Sequence, residues 1–302
     1  MKGEMISPEH LALIITATFI GTLSRLLSIK QDYRQYPSYP NGYLIHSVLG
    51  AVASALGAFI IPAIMTKNFI AVTFLTLAIQ QFREVRKTER GSLNSLENTE
   101  FTFRGDAYID GIAKTFESRN YFSLITSFSA ALAMEILKQK MWIEVVVGAA
   151  VGLIVYYLIS RFTKGKQVID IADVKEGRIE FKGNNLYVDG IFVSNLIGME
   201  NPKKMFEEEG LAAVIYPKEE HYRITLDNFG QRQAILFDVT RELGVKRYSF
   251  TRKDYEQGRI VIALIPIIKN KQKLLDTIKN APLLENAKKS HAVMKTKMLG
   301  GN

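Results

Sequence analysis

The sequence contains no cysteine, which excludes disulfides, cysteine nucleophiles and thiolate metal sites. Its four histidines are scattered and never form an HExxH or a similar spacing, so we expect no metal ion. The sequence also lacks a P-loop, a GxGxxG and any recognisable pairing of a nucleophile with a base. These absences favour a protein that has no cofactor and is not an enzyme.

Charged and apolar residues are unevenly divided along the 302 residues. Mean hydropathy is only +0.04, but this average combines a first half with long apolar runs and a second half that is charged throughout. The formal net charge of +9 suits an anionic membrane surface, because the cytoplasmic flanks of membrane proteins gather Lys and Arg. Nucleic-acid binding is disfavoured, since the basic residues are interleaved with acidic ones except at the carboxyl end.

Five apolar runs within residues 1–163 predict a membrane α-helical bundle, since about 20 apolar residues are needed to cross a bilayer. They cover residues 11–29, 44–65, 69–82, 121–137 and 143–162. The third run has 14 residues, which is short for a span. Small residues recur at every fourth position, as at Gly50, Ser54 and Ala58, and residues 148–152 form a GxxxG. These faces favour close helix packing and leave open a homo-oligomer through the same faces.

The positions of Lys and Arg predict how these spans are oriented. With five crossings, thirteen cations lie on the side of the central loop and the carboxyl terminus, and four lie on the other side. Positively charged flanks stay in the cytoplasm. We therefore predict a multi-pass cell-membrane protein in contact with membrane lipid, with its amino terminus outside and its carboxyl-terminal domain in the cytoplasm. Arg25 interrupts the first run near its far end, where its side chain is expected to snorkel.

A polar cytoplasmic loop at residues 83–120 contains a short amphipathic pattern. From Tyr108 onward the apolar residues have helical spacing, while Asp106, Asp110 and Lys114 lie on the opposite face. A helix of about three turns is too short to cross a bilayer. We expect it to lie on the membrane surface or to dock on a protein face.

After residue 163 the pattern changes to short, alternating runs that are typical of β-strands, such as those at residues 178–181 and 185–193. We predict a cytoplasmic α+β domain in three parts: a small β-rich subdomain, an α+β subdomain and a basic flexible tail that contacts anionic lipid. Their boundaries are residues 164–220, 221–287 and 288–302.

The α+β subdomain resembles a known family of small domains. Its order is interpreted as βαββα, with the first strand at residues 223–227 and a glycine-bearing turn leading into an Ile-Leu-x-Asp-Val helix at residues 232–243. Two paired strands at residues 246–251 and 259–266 and a second helix at residues 271–279 complete this order. This order is similar to the ferredoxin-like family and, within it, to the ligand-sensing ACT modules. The resemblance implies a small effector bound at the turn of Asn228, Gly230 and Arg232. A purely structural role for the subdomain is the alternative.

The stretch Tyr108-Ile-Asp-Gly-Ile-Ala113 is similar to the signature that names the YIEGIA family, with Asp110 in place of Glu. The similarity extends to three further blocks, which are Asp32-Tyr-Arg-Gln-Tyr-Pro-Ser-Tyr-Pro40, Thr115-Phe-Glu-Ser-Arg-Asn120 and Gly230-Gln-Arg-Gln-Ala-Ile-Leu236. That family consists of membrane proteins of endospore-forming bacteria that are associated with sporulation. The resemblance implies a role in sporulation, with another sporulation protein as partner, and it implies no reaction. The signature residues are Tyr108, Ile109, Asp110, Gly111, Ile112 and Ala113.

These observations leave three hypotheses for the function. The first is an integral membrane protein of sporulation that anchors a cytoplasmic sensing or recruiting domain. The second is a membrane-bound aspartyl peptidase, because two carboxylates that share a proton can activate water, with Asp106, Asp110 and Glu135 as candidate catalytic residues. The third is a transporter or channel subunit, although few polar side chains lie within the apolar runs.

Overall fold

The computed structural model of the protein describes residues 7–32, 40–163, 165–195, 200–285 and 287. The chain forms two compact units, each built from two separate stretches. Unit 1 comprises Met1–Gly91 and Ile112–Lys164, and unit 2 comprises Ser92–Gly111 and Gly165–Asn302. The predicted basic tail at residues 288–302 and most of the block that ends at Pro40 lie outside the described residues.

The described part of the first half is helical. Its elements are α1 (Pro8–Asp32), α2 (Pro40–Met65), α3 (Phe69–Gln80), α4 (Phe82–Glu97), α5 (Asp106–Leu137) and α6 (Met141–Phe162). Four of these helices, α1, α2, α5 and α6, are long enough and apolar enough to cross a membrane. The prediction of a membrane-type helical bundle is therefore supported for four of the five runs.

The short third run is the exception. Helix α3 has 12 residues, which is about 18 Å at 1.5 Å per residue, against a hydrocarbon core of about 30 Å. Its N-cap is Asn68, whose side chain accepts a hydrogen bond from the Ala71 backbone N–H at 3.0 Å. Lys67 precedes this cap with a φ of 52°, and so turns the chain out of α2. The predicted count of five spans is not confirmed.

The predicted loop at residues 83–120 is wrong in its local structure. Most of it is helical, because α4 continues to Glu97 and α5 begins at Asp106. The short amphipathic helix and the run at 121–137 form one helix of 32 residues. The physical reason is that no glycine or proline occurs between Ile112 and Leu137, so nothing ends the helix.

The interior of unit 1 includes many small and polar side chains beside larger apolar ones such as Leu13 and Ile61. Ser54 and Ala58, from the predicted small-residue face, are fully buried, while Phe69 is 77% exposed. A Cβ atom at Gly21 would lie 2.5 Å from the Ser54 Oγ, and one at Gly57 would overlap the Leu124 backbone. Such close approach through small residues is typical of helices in lipid. The predicted packing faces are thus used within the chain.

Unit 2 contains the strands and the remaining helices. Its elements after the first half are α7 (Val168–Ile171), β1 (Ala172–Glu176), β2 (Ile179–Lys182), β3 (Asn185–Val188), β4 (Ile191–Ser194), α8 (Glu200–Glu209), β5 (Leu211–Pro217), α9 (Tyr222–Asp227), α10 (Phe229–Leu243), β6 (Ser249–Lys253), β7 (Ile260–Leu264) and α11 (Lys271–Asn280). A four-stranded sheet has the order β1-β5-β7-β6, and β2-β3-β4 form a three-stranded sheet. All neighbouring strands are antiparallel.

The central strands β5 and β7 are buried on both faces. Ala213 and Ile262 belong to a core with Ile235 of α10 and Ile278 of α11. The alternate residues along β5 and β7, such as Val214, belong to a second core with the three-stranded sheet and α8. This alternation places α10 and α11 on one face of the four-stranded sheet, and the small sheet with α8 on the other.

The predicted strands at residues 178–181 and 185–193, the paired strands near 246–266 and the helix at 232–243 are confirmed by β2–β4, β6–β7 and α10. The predicted strand at 223–227 is wrong, because these residues form helix α9. Its neighbouring residues Thr225 and Leu226 are both buried, which a strand with one buried face does not allow. The alternating polar and apolar residues of this segment caused the error.

Candidate functional site

The candidate site is the contact in unit 2 between the start of α5 and helix α10. Gly105 adopts a φ of 82°, which favours glycine, and its carbonyl accepts hydrogen bonds from the Tyr108 and Ile109 backbone N–H groups. This turn begins α5 and directs Arg104 and Tyr108 toward residues of α10.

Arg104 lies at the centre of this contact. Its side chain is 1% exposed and forms ion pairs with Glu97 at 3.2 Å and Glu100 at 3.0 Å. The guanidinium carbon lies 4.4 Å from the centroid of the Phe237 ring on α10. Glu97 also accepts hydrogen bonds from the backbone N–H groups of Arg104 and Gly105. Because a buried cation is stable only when it is paired, this arrangement fixes the segment between α4 and α5.

Tyr108 provides a second buried polar contact. Its hydroxyl donates a hydrogen bond to the Asp238 Oδ1 at 2.8 Å, and its ring packs edge-on against Phe237 with centroids 6.1 Å apart. The tyrosine is 3% exposed. A hydroxyl buried to this extent requires a partner, and the Asp238 carboxylate of α10 is that partner.

Two further contacts extend the same face of α10. Gln233 Nε2 donates a hydrogen bond to the Phe103 carbonyl at 2.5 Å. A Cβ atom at Gly230 would lie 3.1 Å from the Ala107 Cβ, so this position leaves little room for a larger residue. The contacting residues of α10 are Gly230, Gln233, Phe237 and Asp238. Their spacing of three, four and one residues places them on one face of a helix.

Comparison with known proteins identifies the family. The family model described as YIEGIA protein matches residues 13–294. The chain belongs to the YIEGIA family. It is 38% identical over 286 residues to the uncharacterized protein YphB of Bacillus subtilis (strain 168), covering 92% of this chain and 94% of that protein. No solved structure matches.

The YIEGIA signature contributes to both units. Tyr108, Ile109, Asp110 and Gly111 belong to unit 2, and Ile112 and Ala113 belong to unit 1. Within unit 2, Ala107, which precedes the signature, lies against Gly230 of the block Gly230–Leu236, and Tyr108 bonds to Asp238, two residues after that block. No signal in the sequence indicated that Asp238 of α10 pairs with a tyrosine 130 residues earlier.

In unit 1, helix α5 continues beyond the signature and packs against a buried arginine. The Phe116 ring is 1% exposed, lies 5.6 Å from the Arg25 guanidinium carbon and packs at a tilt against the His46 ring, with centroids 4.4 Å apart. Arg25 is itself 1% exposed, so the prediction that it snorkels is wrong. Gly50 faces its side chain, and a Cβ atom at Gly50 would overlap the Arg25 methylene groups. Because glycine has no side chain, Gly50 leaves space for the arginine.

The candidate peptidase carboxylates occupy different surroundings. Asp106 is exposed and Asp110 is half-buried, one helical turn apart on α5 in unit 2. Glu135 belongs to unit 1 and forms an ion pair with Lys138 at 3.2 Å. Among the described residues, no group of three or more His, Asp or Glu side chains is placed to hold a metal ion.

The three residues of the predicted effector turn have different roles and surroundings. Asn228 is the N-cap of α10 and accepts a hydrogen bond from the Gln231 backbone N–H at 3.1 Å. Gly230 packs on Ala107, as described above. Arg232 is half-buried and lines a surface groove of unit 2. Of the three residues, only Arg232 presents a charged group to a groove that a ligand can enter.

Proposed function

We propose that this YIEGIA protein is a multi-pass cell-membrane protein that acts in sporulation and that unit 2 is its cytoplasmic sensing or recruiting domain. The proposal rests on the observation that two separate stretches of the chain, residues 92–111 and 165–302, form unit 2 together. The two candidate spans α5 and α6 lie between these stretches in sequence. Two crossings return a chain to the side of the membrane that it left, as the assembly of unit 2 requires.

The positive charges support a cytoplasmic location for unit 2. Arg86, Lys87 and Arg90 precede its first stretch, and Arg161 and Lys166 flank the beginning of its second. Cytoplasmic flanks of spans gather Lys and Arg. The same side follows whether or not α3 crosses the membrane. With a fifth crossing the amino terminus is outside, and with four crossings it is in the cytoplasm.

The sheet of unit 2 supports the sensing part of the proposal. The order β5, α10, β6, β7, α11 along the chain is the βαββα order expected of a ferredoxin-like unit. Strand β5 takes the place of the strand that was predicted at residues 223–227. Strand β1 completes the antiparallel order β1-β5-β7-β6 from an earlier part of the chain. Membrane lipid and another sporulation protein are the proposed partners. A homo-oligomer remains a prediction.

No specific contact favours the other hypotheses. The two aspartates of the peptidase hypothesis lie on one helix, and one of them is exposed. Membrane aspartyl peptidases need two acids close enough to share a proton. The buried polar groups of unit 1 are mostly serine hydroxyls that bond to carbonyls of their own helices, which does not favour a transport pathway.

The absence of cysteine permits a direct test of the topology. Single cysteines are introduced at the exposed positions Lys182 in unit 2, Lys140 between α5 and α6, and Lys67 before α3. Intact cells are then treated with a membrane-impermeant maleimide. We expect Lys140→Cys to react in intact cells and Lys182→Cys to react only after permeabilisation. The opposite pattern would overturn the cytoplasmic location, and the reaction of Lys67→Cys decides whether α3 crosses.

The sporulation role requires a separate measurement. Deleting the gene from its spore-forming host should lower the yield of heat-resistant spores and leave vegetative growth unchanged. Expression of the wild-type protein should restore the yield. An unchanged spore yield in the deletion strain would contradict this part of the proposal.

A further inference from the structure

Unit 2 has a surface groove of about 640 Å³ beside the β6–β7 hairpin and the β3–β4 turn. This volume is within the range of about 300–1,000 Å³ that small-molecule sites occupy. Its charged side chains are four cations and two carboxylates, which gives the groove a net positive charge. The cations are Arg232, Arg252, Lys253 and Arg259.

Two of these cations are neutralised by neighbouring carboxylates. Arg259 forms an ion pair with Asp254 at 2.8 Å, and Lys253 forms one with Asp227 at 3.0 Å. Asp254 also lines the groove, whereas Asp227 does not. The remaining carboxylate of the groove, on Glu256, is exposed.

The other two cations, Arg232 and Arg252, are held by backbone carbonyls. Arg252 Nε donates to the Val193 carbonyl at 2.7 Å, and Arg232 Nε donates to the Asp227 carbonyl at 3.4 Å. Within the described part of the chain, neither guanidinium forms an ion pair, and their Nη groups make no hydrogen bond. A guanidinium oriented through Nε keeps its Nη groups for an anion, which it binds in a planar, bidentate manner.

The rim of the groove is preorganised. Arg223 Nη2 donates hydrogen bonds to the Tyr255 and Glu256 carbonyls, the latter at 2.7 Å. The Asp254 backbone N–H donates to the Arg259 carbonyl at 2.8 Å, and Gly258 closes the turn with a φ of 65°. Since these bonds hold the turn without a ligand, little ordering remains to be done on binding.

Exposed aromatic rings complete the groove. Tyr255 is 81% exposed and Phe192 is 44% exposed. Large exposed aromatic side chains beside unpaired arginines are suited to a ligand that combines a flat ring with an anionic group. A sugar phosphate or an inorganic anion would leave these rings uncovered.

We propose that this groove binds a phosphorylated small molecule of about nucleotide size, with its phosphate on Arg232 and Arg252 and its flat ring against Phe192 or Tyr255. The proposal names a ligand class for the sensing domain, and so it rests on the proposed function for its biological role. The binding itself is independent of that role.

The test uses the full-length protein in detergent and isothermal titration calorimetry. The probes are adenosine monophosphate, adenosine, which lacks the phosphate, and glycerol 3-phosphate, which lacks the ring and imitates a lipid headgroup. We expect adenosine monophosphate to bind at least about tenfold more tightly than either of the others. Binding of adenosine or glycerol 3-phosphate as tight as that of adenosine monophosphate, or no binding of the nucleotide at millimolar concentration, would overturn the proposal.

Variants identify the groove as the site of binding. Arg232→Gln and Arg252→Gln should each weaken nucleotide binding about tenfold or more, because each removes a bidentate phosphate contact. Arg247→Gln is the matched control, since Arg247 is an exposed arginine outside the groove that packs on Tyr248. If Arg252→Gln lowers the unfolding temperature, Arg232→Gln carries the test. Unchanged binding in folded variants would overturn the assigned site.

The two proposals fail in different ways. If the nucleotide binds as expected but Lys182→Cys is labelled in intact cells, only the cytoplasmic sensing function is overturned. A cytoplasmic unit 2 that binds no nucleotide would overturn the ligand class alone.

Discussion

Units 1 and 2 place small and large side chains differently, although unit 1 also buries some large apolar ones, such as Leu13. In unit 1, residues such as Ala17 and Ser54 are buried and Phe19 is 66% exposed. In unit 2, Ile215 and Ile262 are fully buried on the two central strands. A protein in water buries its large apolar side chains, whereas helices in lipid use small residues for their contacts. The difference indicates that the two units fold against different solvents.

Each unit also buries an arginine against a phenylalanine ring. Arg25 in unit 1 and Arg104 in unit 2 are each 1% exposed and each lie on a phenylalanine ring. Arg104 has two carboxylate partners, Glu97 and Glu100, that neutralise its charge. In unit 1, space for the arginine side chain is provided by Gly50.

The largest expected effect tests the charge pairing in unit 2. Arg104→Met keeps most of the side-chain volume but leaves Glu97 and Glu100 without their cation. We expect the free energy of unfolding of unit 2 to fall by about 3–5 kcal/mol, measured by urea titration of the full-length protein in detergent. The control is Arg178→Met, which removes an exposed pair with Glu180 and should change it by less than about 1 kcal/mol. Equal effects of the two substitutions would show that burial of Arg104 does not matter.

The next effect tests the close packing in unit 1. Gly57→Ala places a Cβ atom on the Leu124 backbone and the Ser127 hydroxyl. Overpacking of this kind destabilises by about 1–3 kcal/mol, which we expect to lower the unfolding temperature in detergent. Gly111→Ala is the matched control, because nothing lies within 4 Å of a Cβ atom at that helical position. It should be neutral or stabilising by up to about 1 kcal/mol. If Gly111→Ala retains the fold but lowers spore yield, the glycine of the signature has a role other than packing.

A smaller effect tests the hydrogen bond between the signature and α10. Tyr108→Phe removes the bond to Asp238 and keeps the ring on Phe237. We expect a loss of about 1–2 kcal/mol in the free energy of unfolding of unit 2. A double-mutant cycle with Asp238→Asn should give a coupling of similar size, whereas additive losses would contradict a direct contact. Tyr187→Phe is the control, since the Tyr187 ring packs on Phe192.

The smallest effect concerns the pH dependence of the groove. Burial alone raises the pKa of Asp254, but hydrogen bonds from Arg259 and the Glu256 backbone, together with the Arg259 charge, hold that pKa below its usual value. A lowered pKa in the folded state means that the stabilisation is present above the unfolded value of about 4 and is lost as the pH falls below it. Asp254→Asn should therefore be less stable than the wild type at pH 7 by at most about 1 kcal/mol. The difference should shrink at about pH 2–3, and a difference that does not change with pH would contradict this assignment.

Regular periodicity was sufficient to predict several elements. Helix α10 was predicted because Ile235, Val239 and Leu243 recur at helical spacing, and these residues face the sheet in the structure. Strand β7 was predicted because residues 259–266 are almost continuously apolar, and the strand is buried on both faces. Local pattern and tertiary burial agree at these positions.

The candidate site depends on contacts that periodicity does not encode. Glu97 and Glu100 were predicted only to lie in the polar loop at residues 83–120, but they pair with a buried arginine. Their separation from Arg104 by seven and four residues was a local signal, whereas the burial of the arginine under Phe237 depends on a residue 133 positions later. The contact between Tyr108 and Asp238 spans 130 residues. Long-range contacts of this kind required the structure.

The edges of the four-stranded sheet have a consequence for copies of the protein that share one membrane. Strands β1 and β6 are the outermost strands, and both carry charged residues, including Lys175 and Glu176 on β1 and Arg252 and Lys253 on β6. Anchoring in a plane raises the local concentration of a domain, which promotes pairing between exposed strand edges. Charged side chains along such edges oppose that pairing. We therefore expect neighbouring copies to remain separate at their sheets, even when the membrane crowds them together.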